Sequence, residues 1–183
     1  MKILQWLGGL LVGLGLLVAV GGLFLSPMFA VSRSVVVNAP PDKVYELVAD
    51  PQRWKDWSAW SRRDPSMVVS YSGAASGAGA VWAWKSASEG DGRMSFTAVE
   101  PGRKVAFDLY FPDFGTKPRG EINFVPEGAG TKVIWTMNGD TGENPLHHWF
   151  ALFADGLIGK DFEAALANLK ALAEAGPPGP AAK

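Results

Sequence analysis

The sequence predicts an α+β fold in which a curved antiparallel sheet of about seven strands wraps on one long C-terminal helix, behind an N-terminal transmembrane helix. Three observations support this prediction. Apolar residues recur at helical spacing near the C-terminus, short segments alternate with a period of two in the middle, and the N-terminus is almost entirely apolar. The expected domains are residues 1–30 (anchor and linker), 31–175 (the folded domain) and 176–183 (a disordered tail).

The composition excludes several classes of function. The net charge of 183 residues is -1, so no basic field for nucleic acid is present. The chain has no cysteine, which excludes disulfides, thiolate catalysis and Cys-ligated metals. We expect neither a metal nor a cofactor. Eight Trp and ten Phe are many for this length, and large flat apolar groups also line apolar-ligand pockets.

The first element is the apolar run Ile3–Leu25. About 23 such residues span a hydrocarbon core of roughly 30 Å, whereas the apolar part of a signal peptide is usually only about 7–15 residues long. For the alternative, a cleaved signal peptide, the candidate cleavage site Met28-Phe29-Ala30 has a bulky residue where a small one is required. We therefore expect an uncleaved, single-pass anchor in the inner (cytoplasmic) membrane.

Two finer expectations concern this anchor. Lys2 and the free amine favour a cytoplasmic N-terminus, which places the soluble domain on the extracytoplasmic side, although Arg33 beyond the span weakens this bias. Gly9 and Gly13 form a small-xxx-small pair through which two anchors would approach, so a homodimer is a further expectation.

The segment after the anchor predicts one strand and two short helices. Arg33–Asn38 is β-branched at its centre, as strands are. Pro40-Pro41 then leads into a helix, Lys43–Ala49, and Trp54, Trp57 and Trp60 are spaced as on one side of a second helix.

Six further strands are predicted between turn signals. They are Met67–Ser72, Ala80–Ser86, Arg93–Glu100, Lys104–Phe111, Arg119–Val125 and Thr131–Asn138. The last element is the helix Pro145–Glu174, which begins after the N-cap candidate Asn144. Its expected buried stripe is Leu146, Trp149, Phe150, Phe153, Leu157, Phe162, Leu166, Leu169, Leu172 and Ala173. Within it, Gly156 and Gly159 are expected to allow close packing on the sheet; the alternative is that they flex at a pocket entrance.

Several motifs occur in a recognisable order. They are Val35–Tyr45 (VVVNAPPDKVY), Ala49–Trp54 (ADPQRW), Trp57–Trp60 (WSAW), Gly77–Ser86 (GAGAVWAWKS) and Gly159–Glu163 (GKDFE). From about Val31 to Glu174 the chain resembles the polyketide cyclase/dehydrase branch of the START-like superfamily, which is also called SRPBCC, Bet v 1-like or helix-grip.

This resemblance implies a cavity between the sheet and the C-terminal helix. The wall positions expected from it are Trp82, Trp84, Phe107, Leu109, Trp135 and Met137 on the sheet, with Trp149, Phe150 and Phe153 on the helix. The alternative is that all of these side chains form a solid core.

Candidates for catalysis are few. His147 and His148 are neighbours on a helix, so they do not form a two-nitrogen metal site. One of them is a possible general base at the cavity mouth, but we expect both to lie on the surface at a helix N-terminus, as structural bystanders. Asp108 and Tyr110 share a strand face that is expected to point to solvent. The glycine-rich segment 73–79 lacks the lysine of a phosphate loop.

The sequence leaves three functions open. The first is a membrane-anchored module that binds a small apolar ligand or lipid. The second, suggested by the resemblance, is an enzyme of the polyketide cyclase or aromatase type, in which the fold shapes the substrate and one or two polar groups move protons. The third is a protein–protein interaction domain whose cavity is filled by its own side chains.

Overall fold

The computed structural model of the protein describes residues 2–175, with side chains from residue 5. The predicted tail lies outside these residues. The elements are α1 (Lys2–Gly22), β1 (Met28–Val37), α2 (Pro41–Ala49), a 3₁₀ turn (Pro51–Arg53), α3 (Trp54–Trp57), α4 (Ala59–Arg63), β2 (Val68–Gly73), β3 (Ala80–Lys85), β4 (Gly92–Glu100), β5 (Lys104–Tyr110), β6 (Arg119–Glu127), β7 (Gly130–Asp140) and α5 (Pro145–Glu174).

The seven strands form one antiparallel sheet in the order β1-β7-β6-β5-β4-β3-β2. The chain thus runs as a meander from β2 to β7, and β1 joins the free edge of β7, with Met28 opposite Asp140 and Val37 opposite Thr131. The long helix α5 packs chiefly on β1. The predicted curved sheet with a long C-terminal helix is confirmed, as are the bounds of α5, which Asn144 caps by accepting a hydrogen bond from the Leu146 amide at 3.0 Å.

Strand β1 begins at Met28, five residues before the predicted start at Arg33. The extra residues alternate, with Phe29 and Val31 buried in the core, and all of them pair with β7. The predicted boundary between linker and domain, after residue 30, therefore falls inside β1.

The predicted tryptophan helix is two short helices separated by the buried Ser58. Trp54 and Trp57 are almost fully buried, and their indole N–H groups donate to the carbonyl oxygens of Val48 (2.8 Å) and Leu47 (3.1 Å). These bonds satisfy two buried donors and fix both rings against α2.

The apolar stripe of α5 divides into two halves. The C-terminal half is buried as predicted, with Phe162, Leu166 and Leu169 in the core. The prediction is wrong for the N-terminal half, where Ala151, Ala154 and Gly159 face the core and the large apolar side chains are exposed. Small residues occupy these inward positions because α5 runs close to β1 there. A Cβ on Gly159 would lie 2.0 Å from a guanidinium nitrogen of Arg33.

Arg33 explains the close approach. Its guanidinium binds Asp155 (2.7 Å) and Glu163 (2.6 Å), which lie two turns apart on α5. Gly156, in contrast, faces open space, so the expectation of close packing holds for Gly159 and is wrong for Gly156.

Candidate ligand cavity

A cavity of about 420 Å³ lies between the inner face of the sheet and the N-terminal half of α5. Nearly all of its wall is apolar. The apolar and aromatic residues that line it are Phe29, Trp54, Trp60, Met67, Trp82, Trp84, Met94, Leu109, Phe111, Phe114, Pro118, Trp135, Met137, Leu146, Phe150, Ile158 and Phe162.

Strand alternation explains the sheet side of this wall. Leu109 on β5 and Met137 on β7 point inward because every second residue of these strands is buried. Trp135 stacks on Phe162 of α5, with ring centroids 3.9 Å apart and planes 13° apart. This stack holds the sheet and the helix together at the inner end of the cavity.

Six of the expected wall residues line the cavity: Trp82, Trp84, Leu109, Trp135, Met137 and Phe150. Phe107 lies deeper in the core, with its ring over Gly120 and edge-on to Trp54. Trp149 turns toward α1 and donates its indole N–H to the carbonyl oxygen of Val18 at 3.0 Å. Phe153 is 57% exposed on the outer side of α5.

Other wall residues were not expected from the sequence. Met94 follows the inward parity of β4 together with Phe96, and the alternation of this strand is the sequence signal that indicates it. Trp60 lies on α4, where its ring packs edge-on against Trp135 and Phe162 of the wall. Phe111 and Phe114 belong to the loop after β5, whose path no periodicity reveals.

Two carboxylates on the wall share one cation. Arg63 on α4 binds Glu89 (2.7 Å) in the β3–β4 loop and Asp161 (2.8 Å) on α5. Glu89 first, and then Asp161, raise the pKa of the Arg63 guanidinium, because each accepts a hydrogen bond from the charged form. Both carboxylates are therefore paired, and the triad links α4, the loop and α5 at one side of the cavity.

The predicted surface position is wrong for His148, which is buried, and His147 is only partly exposed. His147 lies on the cavity wall, half-buried, with Nε2 3.5 Å from the side-chain nitrogen of Asn144. His148 is buried, and its ring nitrogens lie 2.8 Å and 3.0 Å from the carbonyl oxygens of Gly22 and Gly142. His148 thus connects the end of α1, the loop after β7 and α5.

The remaining polar candidates are a pair on the outer face and two indole groups of the cavity wall. Asp108 pairs with Arg119 at 3.5 Å on the outer face, where Tyr110 is also exposed. Within residues 5–175, the indole N–H groups of the wall residues Trp82 and Trp135 are buried without a hydrogen-bond acceptor. No cluster of three His, Cys, Asp or Glu that would hold a metal ion occurs in the described part of the chain.

Residues that both line the cavity and remain exposed define its mouth. These are Leu146 (51%), Phe150 (44%) and Phe114 (66%). The mouth therefore lies between the first turns of α5 and the loop after β5.

The comparisons with known proteins agree with this architecture. Protein CV1439 from Chromobacterium violaceum is 18% identical, with a TM-score of 0.60 over 81% of this chain and 99% of that one. The di-domain ARO/CYC BexL from the BE-7585A biosynthetic pathway is 18% identical, with a TM-score of 0.59, over 82% of this chain and 51% of that one. DynU16, a putative protein in the dynemicin biosynthetic locus, is 19% identical, with a TM-score of 0.56, over 81% of this chain and 48% of that one.

At such identities these structures show a shared fold. No curated protein matches the chain. The profile of the family "Polyketide cyclase / dehydrase and lipid transport" matches residues 28–174, which is most of the chain and the whole of the sheet and α5. The chain therefore belongs to the polyketide cyclase/dehydrase and lipid transport family, and its folded part is a ligand-binding domain of the SRPBCC superfamily.

Proposed function

We propose that this protein is a membrane-anchored binding module that holds one small apolar molecule or lipid in the cavity between its sheet and α5. The observation that supports this most is the cavity itself. Its volume of about 420 Å³ falls in the range of small-molecule sites, roughly 300–1,000 Å³, and such sites have mostly apolar walls with few polar groups. A cavity of this size disfavours the alternative of an interior filled by its own side chains.

The chemistry of the wall selects the ligand class. Aromatic rings, Leu109 and Met137 offer apolar contact, whereas the carboxylates of Glu89 and Asp161 are both already bound to Arg63. Burying apolar area favours binding by roughly 25 cal/mol per Å². A charged ligand would lose its hydration in a mostly apolar cavity where both carboxylates are already paired with a cation, so we expect the ligand to be neutral over the part that enters.

The anchor rests on α1. Its 21 residues are about 31 Å long at roughly 1.5 Å per residue, close to the thickness of a hydrocarbon core. Only 6% of the apolar window Gln5–Gly22 is buried. A helix that is apolar on all sides and uncovered by protein suits a membrane better than water.

Two measurements test the anchor and separate it from a signal peptide. Alkaline carbonate should leave the protein in the membrane pellet, and the intact mass of the mature protein should include the residues of α1. Release into the supernatant, or a mature chain that begins after α1, would contradict the anchor.

An enzyme of the cyclase or aromatase type is the second candidate, and one observation favours it. His147 lies on the cavity wall, and among the described wall residues it is an ionisable side chain outside the Arg63 triad, as a general base would require. Replacement with Gln keeps the size and removes the base. If the protein only binds, His147→Gln should leave ligand content unchanged; if it is an enzyme, turnover of the copurified ligand should fall while ligand content persists.

A further inference from the structure

The N-terminal half of α5 presents a continuous apolar surface that nothing in the described structure covers. Its large side chains are between 44% and 58% exposed: Leu146, Phe150, Leu152, Phe153 and Leu157. Residues 146, 150, 153 and 157 follow one another at helical spacing and form one strip, whereas Leu152 lies about 100° around the helix from Phe153, outside the strip. Contiguous exposed apolar surface of this kind marks a contact with a partner or a membrane.

The same end of α5 is fastened to the end of α1. The Trp149 indole donates to the carbonyl oxygen of Val18, and the His148 ring binds the carbonyl oxygen of Gly22. The Trp149 ring also lies against Gly21, where a Cβ would be 3.0 Å from it. Because these contacts involve the last turn of α1, the depth of α1 in a bilayer sets the depth of this part of α5.

This attachment places the apolar surface at a membrane boundary. Val18 lies four residues before the end of a span that is itself about as long as the hydrocarbon core is thick, so Trp149 sits at the level where interfacial tryptophans are found. Leu23 and Phe24, which continue from α1, are 66% and 86% exposed and extend the apolar strip toward the anchor.

The charges next to the strip are mixed. Asp113, Glu143 and Asp155 stand near it in the sequence, as do Lys117 and Lys160. Contact with a bilayer would therefore depend on apolar insertion and would require no anionic lipid.

The cavity mouth belongs to the same surface, since Leu146 and Phe150 both line the cavity and form part of the strip, and Phe114 faces them across the opening. We propose that the strip docks on the bilayer that holds α1, so that the mouth opens into the membrane and the ligand passes between bilayer and cavity without crossing water. This inference rests on the proposed membrane anchor and names the source of the ligand.

A depth measurement on the full chain tests the docking. The protein has no cysteine, so single-cysteine variants can be labelled with a nitrobenzoxadiazole fluorophore without background. The probes are Phe153→Cys and Leu157→Cys in the strip, with Leu11→Cys in α1 as the anchor control; all three positions are exposed, so labelling disturbs no packing. The proteins are reconstituted in phosphatidylcholine vesicles that carry a lipid quencher either near the headgroup or deep in the acyl chain.

Val125→Cys is the matched control on the domain. Val125 is a similarly exposed apolar residue (45%), but it pairs with Lys132, which lies opposite Val36 of β1. Val125 is therefore level with Val36, eight residues along β1 from Met28, the end of the strand that is joined to α1. At about 3.4 Å per residue, Val125 lies roughly 27 Å farther from α1 than Met28 does.

We expect the labels at 153 and 157 to be quenched by the shallow quencher, the label at 11 by the deep one, and the label at 125 by neither. Quenching at 11 without quenching at 153 and 157 would overturn the docking while the anchor stands. Quenching at none of the positions would overturn the membrane anchor and, with it, the docking that rests on the anchor. Self-quenching at 153 that rises with the protein-to-lipid ratio, without quenching by lipid, would show that a second copy covers the strip and would also overturn the docking.

Discussion

Adding one methyl group beneath the cavity wall should weaken ligand binding. Trp84 lies flat across Gly92 of the neighbouring strand, and a Cβ on Gly92 would stand 2.1 Å from Cζ2 of its ring. Carbon atoms in contact are about 3.5–4.0 Å apart, so in Gly92→Ala the ring must move by roughly 1.5 Å. Gly92 is on the inward face of β4, so its new methyl group would push the Trp84 ring away from the sheet and into the cavity.

Two magnitudes follow from this displacement. Overpacking of this kind destabilises a fold by about 1–3 kcal/mol, which should lower Tm by roughly 2–12 °C for a chain of this size. A shift of about 1.5 Å removes room for one or two methylenes of the ligand, at about 0.8 kcal/mol each. Affinity should therefore fall by about 4- to 15-fold.

The assay is a competition between wild type and variant for the ligand of one membrane extract. Native mass spectrometry resolves the two full-length proteins in one spectrum, and the ratio of their bound-to-free ratios gives the change in affinity. Gly156→Ala is the matched control, since it adds the same methyl group where nothing lies within 4 Å; it should raise stability by up to about 1 kcal/mol and leave binding unchanged. Equal occupancy of wild type and Gly92→Ala would refute the assignment of the Trp84 wall to the ligand.

Three further predictions concern stability and are measured by thermal unfolding. Hydrogen bonds from Ser66 and then from Ser86 lower the pKa of Asp64 below its usual 3.8. This carboxylate therefore stabilises the fold above that pH and ceases to do so as the pH falls through its folded pKa. Asp64→Asn should lower Tm at pH 7, and the difference in Tm from wild type should shrink below about pH 4. Thr131→Val removes the hydroxyl that donates a 2.7 Å hydrogen bond to the buried carbonyl oxygen of Ala39, so the free energy of unfolding should fall by about 1–3 kcal/mol. An unchanged Tm would mean that this carbonyl finds another donor. Gly159→Ala should lower Tm, since the new Cβ would displace the Arg33 guanidinium from its two carboxylates; a rise in Tm, as for an ordinary helix glycine, would contradict the close approach of α5 and β1.

Local chemistry explains which parts of the fold were predictable. The start of α5 follows from Asn144 and Pro145, whose capping and N1 preferences depend only on neighbouring residues. The inward parity of Leu109 and Met137 follows from strand alternation, which the pleat enforces. Such features need no knowledge of tertiary contacts.

The parts that failed depend on long-range geometry. Periodicity identifies an apolar strip on α5, but only the path of the chain decides that Ala154 faces β1 while Phe153 faces outward. Phe107 and Trp149 are large aromatic residues like those of the wall, yet neither lines the cavity. Phe107 packs over Gly120, and Trp149 donates a hydrogen bond to the carbonyl oxygen of Val18. These contacts join residues that are far apart in sequence, and no local pattern encodes them.

Native mass spectrometry of the full-length protein from its own host shows whether the cavity holds an apolar molecule. We expect a second mass that corresponds to one bound neutral, apolar small molecule or lipid for each chain. Its occupancy should fall in Gly92→Ala and persist in Gly156→Ala. A spectrum of free protein alone, from membranes extracted gently enough to retain other bound lipids, would show that the cavity holds no such molecule.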